Sequence, residues 1–593
     1  MKRGALFLLI LWFCCSLLPA QSNSIGSPGI TNYTKSDYRG GTQNWSMIQD
    51  QRGVVYSGNN EGLLEFDGSN WRTHFLPNRT IARSVAFDTL GKLYLGGQDE
   101  FGYLATDAFG RIQFSSLTHL VPENFKSFED VWEIFPLPEG IFFCTQRAIF
   151  KLNGEKIQVI QPETRFDHFF ELEGKLYVQD SRKRLLTWSG NKLKPIPQSN
   201  GLSGVEIAAM LPFDADQTLI VSVANGLFLM NEEGIRPWNT GATPFLKEFR
   251  AYCAIQLADR RYAIGSPHNG LLIMDRDGQP QLHLNTSTGL QNNTILCIMQ
   301  DRAQNLWLGL DNGIDYVEIS SPFSMIRSEE GLEGTGYASI LYEGNLYLGT
   351  NQGLHYINWI KDINPLDPPR LWLVGSGKGQ VWSIHNLDGE LLIGHHEGAF
   401  YLRNNRMMPI PGLKGVWKFL KPSRHPNFAI AGTYTGLYLL EKQTASATQP
   451  GWKMVRKLEG FDESARVFEE DTDGYIWVSH AYKGLYKIKL KDDLEAVETV
   501  SFYNTDQGLP TDLFINVCKI RGELVFTTPM GTYSYNQQTD HFHEHQELQK
   551  VFGEYQNIQR LLEDENGDIW FSADDKFGVL KIREKGILNK LDK

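Results

Sequence analysis

Short apolar runs separated by turns of Gly, Asn and Asp fill the chain from about residue 45 to 582. In Asn305-Leu306-Trp307-Leu308-Gly309-Leu310, Asp311-Asn312-Gly313, Ile314-Asp315-Tyr316-Val317 an apolar strand, a tight turn and a second strand follow one another. Runs this short, rich in aromatic and branched residues, predict strands rather than helices. Relatives of the unit recur at Tyr56-Ser57-Gly58 with Glu61-Gly62-Leu63, at Leu348-Gly349-Thr350-Asn351-Gln352-Gly353-Leu354, and at Trp477-Val478 with Lys483-Gly484-Leu485-Tyr486. A chain that repeats one small β unit builds its fold by stacking that unit.

Each unit reads as a strand, an acidic or glycine turn, a second strand ending in a small residue, a glycine turn, a third strand and a less regular fourth. That is one blade of a β-propeller. The second-turn glycine falls at Gly62, Gly102, Gly226, Gly270, Gly313, Gly353, Gly398, Gly436, Gly484, Gly531 and Gly578, where a tight hairpin asks for positive φ. Ile141 to Leu152 and Lys175 to Trp188 keep the strands without the glycine, which makes thirteen units. They are spaced about 40 to 48 residues apart, the length of a four-stranded blade. One ring holds four to eight blades. The expected fold is therefore all-β: two tandem β-propellers of four-stranded blades, seven and then six complete, the second ring being six-bladed or short of a seventh. The expected division is a signal peptide over 1–20, an N-terminal segment over 21–44, a first propeller over 45–322 and a second over 323–593. The junction runs from Pro322-Phe323-Ser324 to Gly336. A strand within Ile30 to Asn44 is expected to close one of the rings, and the sequence does not say which.

Composition changes the picture in three ways. Residues 1–20 carry Lys2 and Arg3, an apolar run from Ala5 to Leu18 and then Pro19-Ala20, the pattern of a cleaved secretory signal. Export to the periplasm or the extracellular space is the expected location, with any membrane attachment coming from regions outside this chain. The formal net charge is −12, and two units deeper without Lys2 and Arg3. That balance argues against direct nucleic-acid contact. Beyond Cys14 and Cys15 there are four cysteines, Cys144, Cys253, Cys297 and Cys518, each in an apolar run and none at metal-site spacing. Buried thiols are the simplest reading, with a Cys253–Cys297 disulfide as the alternative.

Candidate chemistry is sparse. No nucleophile elbow, phosphate loop, HExxH or paired CxxC occurs, and the carboxylates sit mostly in turns, so no enzyme activity and no cofactor are expected. Asp471-Thr472-Asp473-Gly474 and Asp564-Glu565-Asn566-Gly567 invite a calcium reading, but Asp and Asn close turns by themselves. His541, His543 and His545 alternate on a predicted strand and could converge on a metal; a solvated outer strand explains the same pattern without one and is the favoured reading. His395 and His396, being adjacent, are expected on opposite faces. A propeller takes ligands at the mouth of its channel, where the innermost strands begin. Those positions include Trp45, Arg83, Trp132, His168, Tyr252, Trp382, Trp417 and Arg466. Aromatic faces stack on sugars and Arg forks pair with carboxylates, though such aromatics also serve as core between blades.

Gln300-Asp301-Arg302-Ala303-Gln304-Asn305-Leu306-Trp307-Leu308-Gly309 and Glu470-Asp471-Thr472-Asp473-Gly474-Tyr475-Ile476-Trp477-Val478-Ser479 resemble two-component regulator propeller repeats. So does the link from Ser321-Pro322-Phe323 to Gly331-Leu332-Glu333-Gly334-Thr335-Gly336-Tyr337, closest to the triple-tyrosine-motif regulators. The resemblance implies the extracytoplasmic part of a bacterial receptor: paired propellers, then a tyrosine-containing β-sandwich, a membrane helix, and a histidine kinase or helix-turn-helix output. It implies an oligosaccharide or other small ligand; self-association as a dimer is a further expectation. This sequence stops at Lys593 without sandwich, helix or output, so a truncated frame, a fragment or a soluble binding protein is expected. The sensing module is the leading expectation. A secreted interaction scaffold and a carbohydrate-active lyase or hydrolase are the alternatives.

Overall fold

A computed structural model describes residues 25–106, 112–359, 363–445, 449–553, 557–574, 576–582 and 588–592. The predicted signal over 1–20 lies outside the described residues. The chain divides into two compact units. The first takes in the chain up to Glu330 and a short later stretch ending at Pro368; the second takes in Gly331 and the rest. The segment after residue 322 is tied into the first unit, where Ser27 and Met325 form a β-bridge and the Ser27 hydroxyl donates to Glu330 at 2.8 Å.

The first unit is a propeller of seven four-stranded antiparallel sheets. Its innermost strands are Asn44–Gln49, Ala82–Phe87, Val131–Leu137, Phe166–Leu172, Ile207–Asp214, Cys253–Gln256 and Ile295–Gln300. The strand within 30–44 belongs here. Gly29–Tyr33 pairs antiparallel with Ile314–Glu318 as the outermost strand of the seventh sheet. The seventh blade is thus made from both ends of the unit. The ring closes on a shared core of Tyr38, Val55, Leu64, Phe66, Trp307 and Ile314, with Tyr33 stacked on Trp307 at 5.6 Å.

The second unit is a propeller of six such sheets. Their innermost strands are Gly336–Tyr342, Val381–Leu387, Val416–Leu420, Val467–Glu470, Asn516–Ile520 and Ile558–Glu563. The first two sheets are joined by one parallel pairing, Gly375 with Arg406. Separate apolar clusters fill the seams between successive blades, such as Ile430, Leu437, Phe461, Phe468 and Val478 between the third and fourth.

The small residue ending the second strand has a physical reason. A Cβ on Gly309 would come within 2.5 Å of the Asn44 carbonyl oxygen in the next blade, and one on Gly394 within 2.9 Å of the Val416 carbonyl. The innermost strands could not approach so closely past a side chain. The second-turn glycines are less uniform than the repeat suggests. Gly436 has φ +118°, but Gly102 lies inside the strand Phe101–Thr106, and Asp99 takes the positive φ of 53° instead.

Candidate functional site

The start of the innermost strand carries a β-bulge in most blades. Register shifts fall at Asn44/Ser46, Ala82/Ser84, Val131/Glu133 and Phe166/His168 in the first propeller. In the second they fall at Gly336/Ala338, Val381/Ser383, Val416/Lys418 and Ile558/Arg560. The extra residue is left without a ladder partner, and a bulge re-aims its side chain. The residues so displayed are Trp45, Arg83 and Trp132, then Tyr337, Trp382 and Trp417. Tyr252 takes the same place, since its N–H and Cys253 both face Gly265. Arg466 does so just before Val467, which pairs with Ser479. His168 is one residue off: Asp167 is the bulged residue of that blade.

The first mouth is occupied by its own side chains. The Arg83 guanidinium lies between two indoles, 4.0 Å from the Trp45 ring and 4.3 Å from that of Trp132, and pairs with Asp130 at 3.2 Å. Its Nε and Nη1 are buried without a partner. The Trp45 indole N–H donates to Asn60 at 2.8 Å. Asp167 is held by Lys183 and Arg165, both at 3.0 Å; burial would raise its carboxyl, but these partners keep it below the usual range. His168 meets Glu206 at 2.8 Å. Tyr252 faces the lumen, where enclosure pushes its phenol up to about 12 against the pull of Arg83. Glu133 borders the lumen too. Its enclosure alone pushes the carboxyl up to about 7.

The second mouth is lined by aromatic side chains, with Tyr337, Trp382 and Trp417 half-buried and Tyr434 exposed. Trp382 and Trp417 lie with ring centroids 4.6 Å apart, Trp417 and Tyr434 4.7 Å apart, and Tyr337 and Trp382 5.1 Å apart. Hydrogen bonds fix the platform: Trp382 Nε1 donates to the Tyr434 hydroxyl and Trp417 Nε1 to Ser464, each at 3.0 Å. Arg466 sits over Trp417 at 5.2 Å and is exposed. The turns between second and third strands open at this same end, since the Tyr434 N–H donates to the Gly415 carbonyl and that of Phe514 to Ala481. They bring Tyr482, 68% exposed, and Met530, 61% exposed, to the mouth, where Tyr482 lies edge-on at 5.7 Å to Phe514, which is 56% exposed and leads into the fifth innermost strand. The matching turns of the first propeller carry Asn60, Asp99, Arg147, Arg182, Asn225 and Asn312.

Sequence reasoning missed Tyr337, Tyr434, Tyr482, Phe514 and Arg560. The bulge register would have found Tyr337 and placed Arg560 one residue after Gln559; the exposed turn aromatics needed the turns to be located first.

Other readings resolve locally. Asp471 closes its own turn, accepting from the N–H groups of Asp473 and Tyr475, and its second oxygen accepts from Trp477 Nε1 at 2.9 Å. The strand His541–Glu544 ends before His545, which instead caps the helix Gln546–Phe552 by accepting from the Leu548 N–H. The three imidazoles therefore do not share a strand face, and no group of three His, Cys, Asp or Glu among the described residues could hold a metal. Cys253 and Cys297 are free thiols rather than a disulfide, each directed at a carbonyl of the next blade. Adjacency does not separate His395 from His396: their rings lie 4.6 Å apart. Among the described residues, no helix is long and apolar enough to cross a membrane.

The family model for the two component regulator propeller matches residues 289–312. No curated protein matches the chain. Among solved structures, the fold is similar to an extracellular domain attributed to a hybrid two component system of B. thetaiotaomicron. The match is 18% identical with a TM-score of 0.66, covering 95% of this chain and 78% of that one. A second extracellular domain from that organism, attributed to a one component system, is 17% identical over the same shares, with a TM-score of 0.41. Virginiamycin B lyase from Staphylococcus aureus is 12% identical with a TM-score of 0.38, over 49% of this chain and 98% of that one. This chain is a tandem β-propeller that carries a two component regulator propeller repeat at residues 289–312.

Proposed function

We propose that this protein is an extracytoplasmic ligand-sensing module that binds an oligosaccharide, without turning it over, at the mouth of its second propeller. The observation that carries this reading is the aromatic platform of Trp382, Trp417, Tyr434 and Tyr337, with Tyr482 and Phe514 further along the same end. Flat aromatic faces suit the C–H faces of sugar rings, and half-buried aromatics locked by hydrogen bonds lose little freedom on binding. The repeat type and the likeness to sensor extracellular domains favour a receptor role; the apolar run at residues 5–18 favours export.

The test is a screen of the full chain against an oligosaccharide array, followed by incubation of each bound sugar with the protein and chromatography of the products. Binding with no change in the sugar supports the reading. Cleavage or elimination would make the protein an enzyme. Binding of none, with a protein captured instead, would favour the scaffold.

A further inference from the structure

We infer that the sugar taken by the second mouth is acidic, carrying carboxylate or sulfate groups that Arg466 and Arg560 recognise. The inference rests on the preceding reading that this mouth binds a saccharide, and it adds the charge of the ligand.

The two mouths handle charge in opposite ways. In the first, each cation near the lumen has an internal partner: Arg83 has Asp130, and Lys183 and Arg165 have Asp167. In the second, Lys418 is neutralised by Glu469 and bound to the Phe468 carbonyl, and Glu463 is held by Lys483. Lys519 of the fifth innermost strand donates to the Glu470 carbonyl, which leaves Arg466 and Arg560. Both are exposed, and among the described residues neither forms an ion pair. Arg466 extends over the Trp417 ring, so an anionic group reaching it would leave its sugar ring above the indole. Arg560 follows the bulge at Gln559 on the sixth innermost strand. It faces the same lumen as His385 of the second blade: burial first, then the fields of Lys418 and Arg560, keep that imidazole neutral.

Two uncompensated guanidinium groups are not a by-product of composition, because the chain as a whole carries a net charge of −12. A planar guanidinium pairs with a carboxylate or sulfate through two parallel N–H donors. Two such forks, one just before the fourth innermost strand and one on the sixth, offer places for two anionic groups.

The experiment is calorimetric titration of the full chain with tetragalacturonate, its fully methyl-esterified form, a chondroitin sulfate tetrasaccharide and cellotetraose. The expected result is binding of at least one charged sugar about tenfold or more tighter than the ester and the glucan, weakening as salt rises. Carboxylate and sulfate are told apart by which of the two charged sugars binds. Arg466→Gln and Arg560→Gln should each weaken the charged sugar by about tenfold. Equal binding of charged and neutral sugars, unaffected by either substitution but lost in Trp417→Ala, would overturn the acidic ligand and keep the mouth. Binding that survives Trp417→Ala, or no binding of any of the four, would overturn both readings. Both arginines are exposed, so thermal unfolding at the wild-type temperature confirms that the variants fold.

Discussion

At the scale of single residues, packing and charge make checkable demands. Gly309 leaves no room for a methyl group between its strand and the Asn44 carbonyl. Gly309→Ala should therefore destabilise the first propeller by about 1–3 kcal/mol through overpacking, read as a fall in the denaturant midpoint; an unchanged midpoint would contradict the close approach. His385 makes a demand on pH. Burial, reinforced by Lys418 and Arg560, pulls its pKa from the ordinary 6.5 to about 4. Between those values the unfolded chain binds a proton that the folded chain refuses. Stability is whole above the unfolded value and is lost as pH falls towards the folded one, by about 3 kcal/mol in all. The groups facing His385 are Lys418, Phe419 and Arg560, with Glu469 bonded to Lys418. His385→Leu should flatten the fall in melting temperature between about pH 7 and 5; equal slopes would refute the neutral imidazole. Much at this scale was legible in the sequence. Trp45, Trp382 and Trp417 could be named because aromatic residues recur just before the apolar part of an innermost strand. His168 misled because a register shift moves a side chain by one residue, and one residue changes the face, whereas His541 and His543 are exposed on an outermost strand, in line with the solvated reading.

At the scale of elements, the bulge and the closing strand matter most. The strand period predicts which residues alternate, but the bulge adds a residue without changing the apolar pattern, so the set it displays became visible only in the ladder. The closing strand was legible as a strand and not as a partner, because Ile30 and Tyr33 say what they bury but not against which sheet. Tyr33 stacks on Trp307 and Gly29–Tyr33 completes the seventh sheet. Tyr33→Ala should cost about 1–3 kcal/mol, since the ring is half-buried, and raise amide hydrogen exchange in Ile295–Gln300 and Ile314–Glu318, leaving the second propeller's amides as they were. Protection unchanged in the seventh blade would mean that the strand does not close the ring.

At the scale of the whole molecule, the repeat count and the all-β class follow from periodicity alone, since thirteen stacked units leave few alternatives. What periodicity cannot supply is how well each unit is covered. Trp307, Trp477 and Trp570 occupy one repeat position, each with its indole N–H directed at a turn aspartate, Asp301, Asp471 or Asp564. Their exposures are 5%, 1% and 39%. Oxidative footprinting should modify Trp570 and Tyr482 well before Trp307 and Trp477; equal rates would contradict the packing.

The central claim is that the second mouth, not the first, receives the ligand. Its most direct test is titration of a bound sugar from the array into two double variants of the full chain. Trp382→Ala with Trp417→Ala should abolish binding, while Trp45→Ala with Trp132→Ala, which dismantles the sandwich around Arg83, should leave affinity within about twofold. The reverse pattern, with binding kept in the first variant and lost in the second, would contradict the account and place the site in the first propeller.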